Sequence, residues 1–247
     1  MRVKCIVSYD GSQFHGFQVQ PTLRTVQGEI QDALKKITQE DIIIHGSGRT
    51  DAGVHAISQV FHFDTSKHLP EKQWKRAINH FMPRDIYIKD SFIVDEDFHS
   101  RYSASWKEYR YYLSMQEYDP IQANYVCQLG RPLDVKLMQK TAAYYIGCHN
   151  FASFCAADPY GNTYRTVYEV EISDDHQQLC FRFKGDGFRR YMVRYMVGAL
   201  IRVGLHKMDP LQVKEMVDSA GAIQCLHKAK AEGLYLYHVG YGSLNED

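Results

Sequence analysis

The 247-residue sequence predicts an α+β protein of two ferredoxin-like (split βαβ) halves, with antiparallel sheets flanking a central cleft. Three observations lead there. Period-two alternation and helical apolar spacing succeed one another in the order strand, helix, strand, strand, helix, strand. From about Trp106 that order returns, without any residue-level repeat. No Pro/Gly-rich linker marks the stretch Ser100 to Ser105, so residues 1–103 and 104–247 are expected as two rigidly coupled halves.

Each element has its own signal. Val3, Cys5, Val7 and Tyr9 alternate as a half-buried strand closed by Asp10-Gly11. Thr25 can cap a helix with Val26, Ile30, Ala33, Leu34 and Ile37 on one face and Glu29 in its first turn. Ile42 to Ile44 and Ile57 to Phe63 read as strands on either side of a glycine-rich loop. Pro70 opens a helix carrying Trp74, Ala77, Ile78 and Phe81, which Pro83 stops, and Ile86 to Val94 is a strand. In the second half, Tyr109 to Ser114 is a strand and Leu133 to Ile146 a helix. Tyr164 to Ile172 and Leu179 to Lys184 pair around the polar turn Ser173-Asp174-Asp175-His176. Helices at Gly187 to Val203 and Pro210 to Ser219 precede a closing strand, Gly233 to Val239.

Composition excludes several classes. There is no apolar run of transmembrane length, and Met1-Arg2-Val3-Lys4-Cys5 opens into strand-like alternation rather than a signal peptide. Six cysteines without a C-x-x-C pair suit reduced thiols and a cytoplasmic protein. Without H-E-x-x-H or paired cysteines no metal site is expected, and no nucleophile elbow or dinucleotide fingerprint occurs. Lys+Arg and Asp+Glu both number 29, but Phe181 to Lys207 holds seven positive residues against Asp186 alone, while Asp158 to His176 is acidic. Such a bipolar chain can present one basic cleft, or merely a solvated basic helix face.

Three segments carry chemical potential. Gly46-Ser47-Gly48-Arg49-Thr50-Asp51-Ala52-Gly53-Val54-His55 packs three glycines into eight residues between two strands. A carboxylate two residues from an arginine can stay ionised there and face a ligand, or simply close an Asx turn. Lys107-Glu108-Tyr109-Arg110-Tyr111-Tyr112 interleaves tyrosines with charges, as a base-stacking strand would and as an ordinary aromatic strand also does. Arg190 and Arg194 are four apart, and so share a face of the expected helix. Arg194 lies in an apolar run, where it either meets an anionic partner, Asp51 by loop character, or snorkels outward.

Together these segments resemble the tRNA pseudouridine synthase A family along most of the chain. The matching blocks are Tyr9-Asp10-Gly11 with Phe14, Gly16, Gln18 and Gln20, then Gly48-Arg49-Thr50-Asp51-Ala52-Gly53-Val54-His55. Asp97-Phe98-His99 with Arg101, Ser103 and Ala104 follows, then Lys107-x-Tyr109-x-Tyr111 and Phe151-x-Ser153-Phe154. Phe188 with Met192-Val193-Arg194, Val197 and Gly198, and Ala231 to Leu236, complete the series. The Arg-Thr-Asp-Ala-Gly-Val-His block is highly specific.

The resemblance implies an enzyme converting uridine to pseudouridine at positions 38, 39 and 40 of the tRNA anticodon arm. It implies a homodimer without cofactor or required metal. Asp51 would be the nucleophile, Tyr109 would pack on the target uracil and handle the C5 proton, and Arg194 would pair with the aspartate. Arg49 and Leu234 would join Tyr109 in binding substrate, while Arg189 and Arg190 are candidates for RNA backbone contacts. Phe17, where tryptophan is usual, Arg189, where an apolar residue is common, and the neutral net charge leave room for a shifted tRNA range. Two other readings compete. Tandem RRM-like RNA-binding units would share the element order but lack their signature aromatics in Ile57 to Phe63 and Leu179 to Lys184. A nucleoside hydrolase would release free uracil.

Overall fold

β1 (Arg2–Tyr9) buries Val3, Cys5, Val7 and Tyr9 and leaves the residues between them half-exposed, as its alternation requires. The computed structural model describes residues 1–157, 161–175 and 178–244; Asp158 and His176, assigned above to the acidic stretch and the polar turn, lie outside them. α1 (Val26–Thr38) starts where the Thr25 side chain accepts the Gly28 N–H and ends at Gln39 in the left-handed region. It buries Val26, Ile30, Ala33 and Leu34. β2 (His45–Gly46) and β3 (His55–Asp64) bracket the glycine loop. α2 (Glu71–Phe81) follows Pro70 and buries Trp74 and Ile78, with the Trp74 ring edge-on to Phe63 at 5.3 Å. β4 (Ile86–Val94) has the bounds the sequence predicts.

The strand expected at Ile42 to Ile44 is not one. Ile42 and Ile44 are buried, but the Ile44 carbonyl accepts from Gln27 and its N–H donates to Gln31. Those backbone groups are taken by side chains of α1, so pairing begins only at His45.

Further along the chain come β5 (Trp106–Ser114), β6 (Cys127–Gln128), α3 (Val135–Ala142) and β7 (Gly147–Asn150). β8 (Tyr164–Asp175) and β9 (Gln178–Gly185) follow, then α4 (Met192–Gly204), α5 (Pro210–Asp218) and β10 (Leu234–Gly240). α3 is shorter than the helix expected over Leu133 to Ile146, its last turn tightening into a 3₁₀ turn at Ala143–Tyr145. α4 begins five residues later than expected at Gly187, because Tyr191 is left-handed (φ 67°) and cannot continue a helix backward. α5 carries a capping box between Asp209 and Gln212 with Pro210 in its first turn.

The chain divides into two compact units, Met1–Ser105 with Tyr235–Asp247, and Trp106–Leu234. Residues from Tyr235 on thus leave the half to which they were assigned, because β10 runs parallel to β3 with Tyr235 opposite His55 and Leu236 opposite Ala56. In the first unit β1 lies antiparallel between β4 and β3, and β2 pairs with β3 at His62 and Phe61. Trp74, Phe61, Phe63, Ile30 and Leu34 fill its core. In the second unit β9 lies antiparallel between β5 and β8, β7 joins the far edge of β8, and β6 runs parallel to β5. Tyr111, Tyr145, Phe151, Phe154, Phe181 and Phe183 are fully buried there. The fold is α+β with mostly antiparallel strands. Among the described residues no helix is long and apolar enough to cross a membrane.

Candidate active site

Hydrogen bonds hold the loop between β2 and β3 at Ser47, Gly48, Thr50 and Asp51. The Ser47 N–H donates to the Val60 carbonyl at 2.7 Å, and the Ser47 hydroxyl donates to the Gln59 side-chain oxygen at 2.6 Å. The Gln59 amide donates back to the Gly48 carbonyl at 2.9 Å. Thr50 is buried, its hydroxyl 2.8 Å from the Tyr9 phenol and its carbonyl accepting the Phe17 N–H at 3.1 Å. The Asp51 carbonyl accepts the Val54 N–H at 3.1 Å, closing a turn over Ala52-Gly53, and Gly53 takes φ 76°. Arg49 is exposed and Asp51 half-buried. A carboxylate on so fully bonded a backbone has few orientations to lose on meeting a ligand.

Residues 10–17 form the brace behind this loop. Gly16 (φ 97°) comes so close that a Cβ there would lie 2.8 Å from the Thr50 carbonyl oxygen. A Cβ on Gly11 would lie 2.0 Å from the Val54 oxygen, so only glycine admits the two backbones at that distance. The Phe14 carbonyl accepts the Gly53 N–H at 3.3 Å, while the Gly16 and Phe17 carbonyls take the first free N–H groups of α1, those of Val26 and Gln27. Phe17 is buried where its ring edge fills the space a Gly46 side chain would need. Behind the loop, the Gly11 N–H donates to His55 Nδ1 at 3.0 Å. The Asp10 carboxylate lies 3.3 Å from the same Nδ1, and the ring stacks on Tyr235 at 4.6 Å. Burial pushes the Tyr9 phenol well above its ordinary pKa, so it stays protonated.

The second unit carries the other predicted residues. Tyr109 lies in β5 opposite Phe183, nearly buried, with its ring edge-on to Phe188 at 5.2 Å. Arg194 is in the first turn of α4 and half-buried; its Nε donates to the Ala229 carbonyl at 2.8 Å, while the Ala229 N–H donates to the Arg194 carbonyl at 2.9 Å. Arg189 and Arg190 precede α4, so the helix face that Arg190 and Arg194 were expected to share does not exist. The two meet differently, over the Tyr191 ring, with guanidinium carbons 4.7 and 5.5 Å from its centre. Arg190 is exposed and Arg189 half-buried. Leu234 is buried at the head of β10.

Sequence reasoning missed the braces. Tyr9 and Thr50 stood in the matching blocks, but the bonds by which they and Gln59 hold the loop join residues distant in the chain, and no local pattern announces those bonds. Lys228 was also missed. Its Nζ lies 4.1 Å from the centre of the Tyr191 ring, and the one available signal was the density of cations at Lys228 and Lys230 beside the Ala231 to Leu236 block.

A family described as tRNA pseudouridine synthase matches residues 5–103 and 141–242. The chain is 43% identical to tRNA pseudouridine synthase A 1 of Bacillus cereus, across 98% of this chain and 99% of that one. It is 40% identical to tRNA pseudouridine synthase A of Bacillus subtilis over the same shares, and 43% identical to that of Lactobacillus acidophilus over 98% and 95%. The chain belongs to the tRNA pseudouridine synthase family and is an isomerase of that class.

Proposed function

We propose that the chain isomerises uridine to pseudouridine at positions 38, 39 and 40 of the tRNA anticodon stem-loop, with Asp51 as nucleophile. What carries this reading is Asp51 itself, half-buried on a loop bonded on both sides, within a member of this family. The reaction breaks the C1′–N1 bond, turns the uracil and joins C1′ to C5, which gives up its proton to solvent while N1 gains one. An ionised carboxylate can add to the ribose carbon or to the base and leave again, splitting one hard step into two. The uridine must leave its stack, at a cost of a few kcal/mol that aromatic packing and hydrogen bonds offset.

Tyr109 is the proposed platform for the flipped base and handles its C5 proton; its edge-on contact with Phe188 supports a fixed ring. Arg194 is the proposed cation of the reaction, and its paired backbone contacts with Ala229 support a guanidinium of set direction. Arg49 and Leu234 bind substrate, and Arg189 and Arg190 meet the RNA backbone. Two ferredoxin-like halves around a catalytic cleft belong to the same proposal. Support in the first unit comes from the succession of β1, α1, β2, β3, α2 and β4 with β1 between β3 and β4. The proposed protein is a cytoplasmic homodimer.

Tritium release from tRNA labelled at uridine C5 tests the core of this reading. The wild type should release tritium without free uracil, and Asp51→Asn should release none while binding tRNA within about threefold of wild type, since affinity rests on cations elsewhere. Activity retained by Asp51→Asn, or free uracil from the wild type, would overturn it.

A further inference from the structure

Three cations of the second unit gather on one aromatic ring. The guanidinium carbons of Arg190 and Arg194 lie 4.7 and 5.5 Å from the centre of the Tyr191 ring, and Lys228 Nζ lies 4.1 Å from it. Arg190 Nη2 also donates to the Tyr191 phenol oxygen at 2.7 Å. Backbone contacts fix this arrangement. The Arg190 carbonyl accepts the Ala156 N–H at 3.1 Å. The stretch bearing Lys228 lies so close to α4 that a Cβ on Gly198 would stand 2.0 Å from the His227 oxygen. Tyr191 itself takes φ 67°, a conformation bulky residues adopt only when their surroundings impose it.

We propose that Arg190, Tyr191 and Lys228 form a subsite for one backbone phosphodiester of the RNA substrate. The inference rests on the functional reading above and extends it to two residues which that reading did not assign. Each cation gains from the ring, and their gathering there concentrates positive charge where an anion would meet it. Lys228 is exposed, and among the described residues no carboxylate pairs with it. The Tyr191 phenol accepts from Arg190, which leaves its own proton to donate. A phosphate oxygen here meets two charged donors and one hydroxyl. A nucleobase would be served worse, because the cations already occupy the ring.

The test is equilibrium binding of an unmodified tRNA transcript across a salt series, with KM and kcat from tritium release. Lys228→Gln should weaken binding roughly fivefold or more and reduce the slope of log affinity against log salt by about 0.7 to 0.9. The loss should fall on Kd and KM rather than on kcat, and Lys228→Arg should restore the slope. Tyr191→Phe should weaken binding by a smaller factor and leave the slope alone, since it removes a donor and no charge. Wild-type affinity and slope in Lys228→Gln, with the wild type active, would sink the subsite alone. So would a fall in kcat at unchanged KM, which would mean that Lys228 acts through Arg194. A wild type that neither binds tRNA nor releases tritium would overturn the functional reading and the subsite together.

Discussion

The Tyr9 phenol and the Thr50 hydroxyl meet at 2.8 Å in the interior of the first unit, joining the end of β1 to the residue just before Asp51. Tyr9→Phe leaves the buried Thr50 hydroxyl without that partner and should cost about 1 to 3 kcal/mol in urea unfolding, with slower tritium release. Pairing it with Thr50→Val should recover most of the stability, because both polar groups then disappear together. A Tyr9→Phe protein as stable as the wild type would show that the bond contributes nothing.

Gly16→Ala should do more damage than its size suggests. The new methyl would lie 2.8 Å from the Thr50 carbonyl oxygen at φ 97°, so the backbone must shift or the loop must. A loss of about 2 kcal/mol or more is expected, with kcat reduced at least as strongly as KM is raised. Wild-type kcat in a folded Gly16→Ala protein would mean that residues 10–17 do not position Asp51.

Gly198→Ala addresses the second unit in the same way. A methyl at that position would meet the His227 oxygen at 2.0 Å and push the 227–229 stretch from α4. The Arg194–Ala229 contacts should fail with it, at a cost of about 2 kcal/mol or more in stability and with loss of tritium release. A thermal midpoint equal to wild type would contradict this packing.

Acid should destabilise the first unit through His62. Its ring is buried beside His99 and His45; burial first, then His99, Arg2 and His45, lowers its pKa from the usual 6.5 to about 4 against the opposing pull of Asp64. Above pH 6.5 the ring is neutral in both the folded and the unfolded chain. Between 6.5 and about 4 the unfolded chain takes up a proton that the folded one refuses, so stability falls as the pH drops through that window. His99, also lowered, adds in the same direction. Unfolding midpoints measured against pH should therefore fall more steeply for wild type than for His62→Gln. Parallel curves would remove His62 from the account.

Much of the fold was legible because local forces agreed with it. Ile86 to Val94 and the helix after Thr25 follow from alternation, a capping side chain and apolar spacing, all contained in a few neighbouring residues. Ile42 to Ile44 failed because glutamines of α1 took the Ile44 backbone bonds, which alternation cannot reveal. The start of α4 failed because a Gly-Phe-Arg-Arg-Tyr run gives no hint of a left-handed tyrosine. The glycine loop around Asp51 stood out as a motif, while the contacts by which Tyr9, Gln59 and Gly16 brace it became visible only with the fold.

The place of β10 has a consequence for biosynthesis. β3 emerges from the ribosome early, but the strand that runs parallel to it, opposite His55 and Ala56, is made only after the whole of Trp106–Leu234. The intervening unit contains both ends of its own sequence and can condense during translation, whereas the first must wait with one strand edge unfilled. A nascent chain arrested before Tyr235 would thus hold a finished insert within an unfinished host, exposing the backbone of His55 and Ala56 to chaperones or to unwanted strand partners.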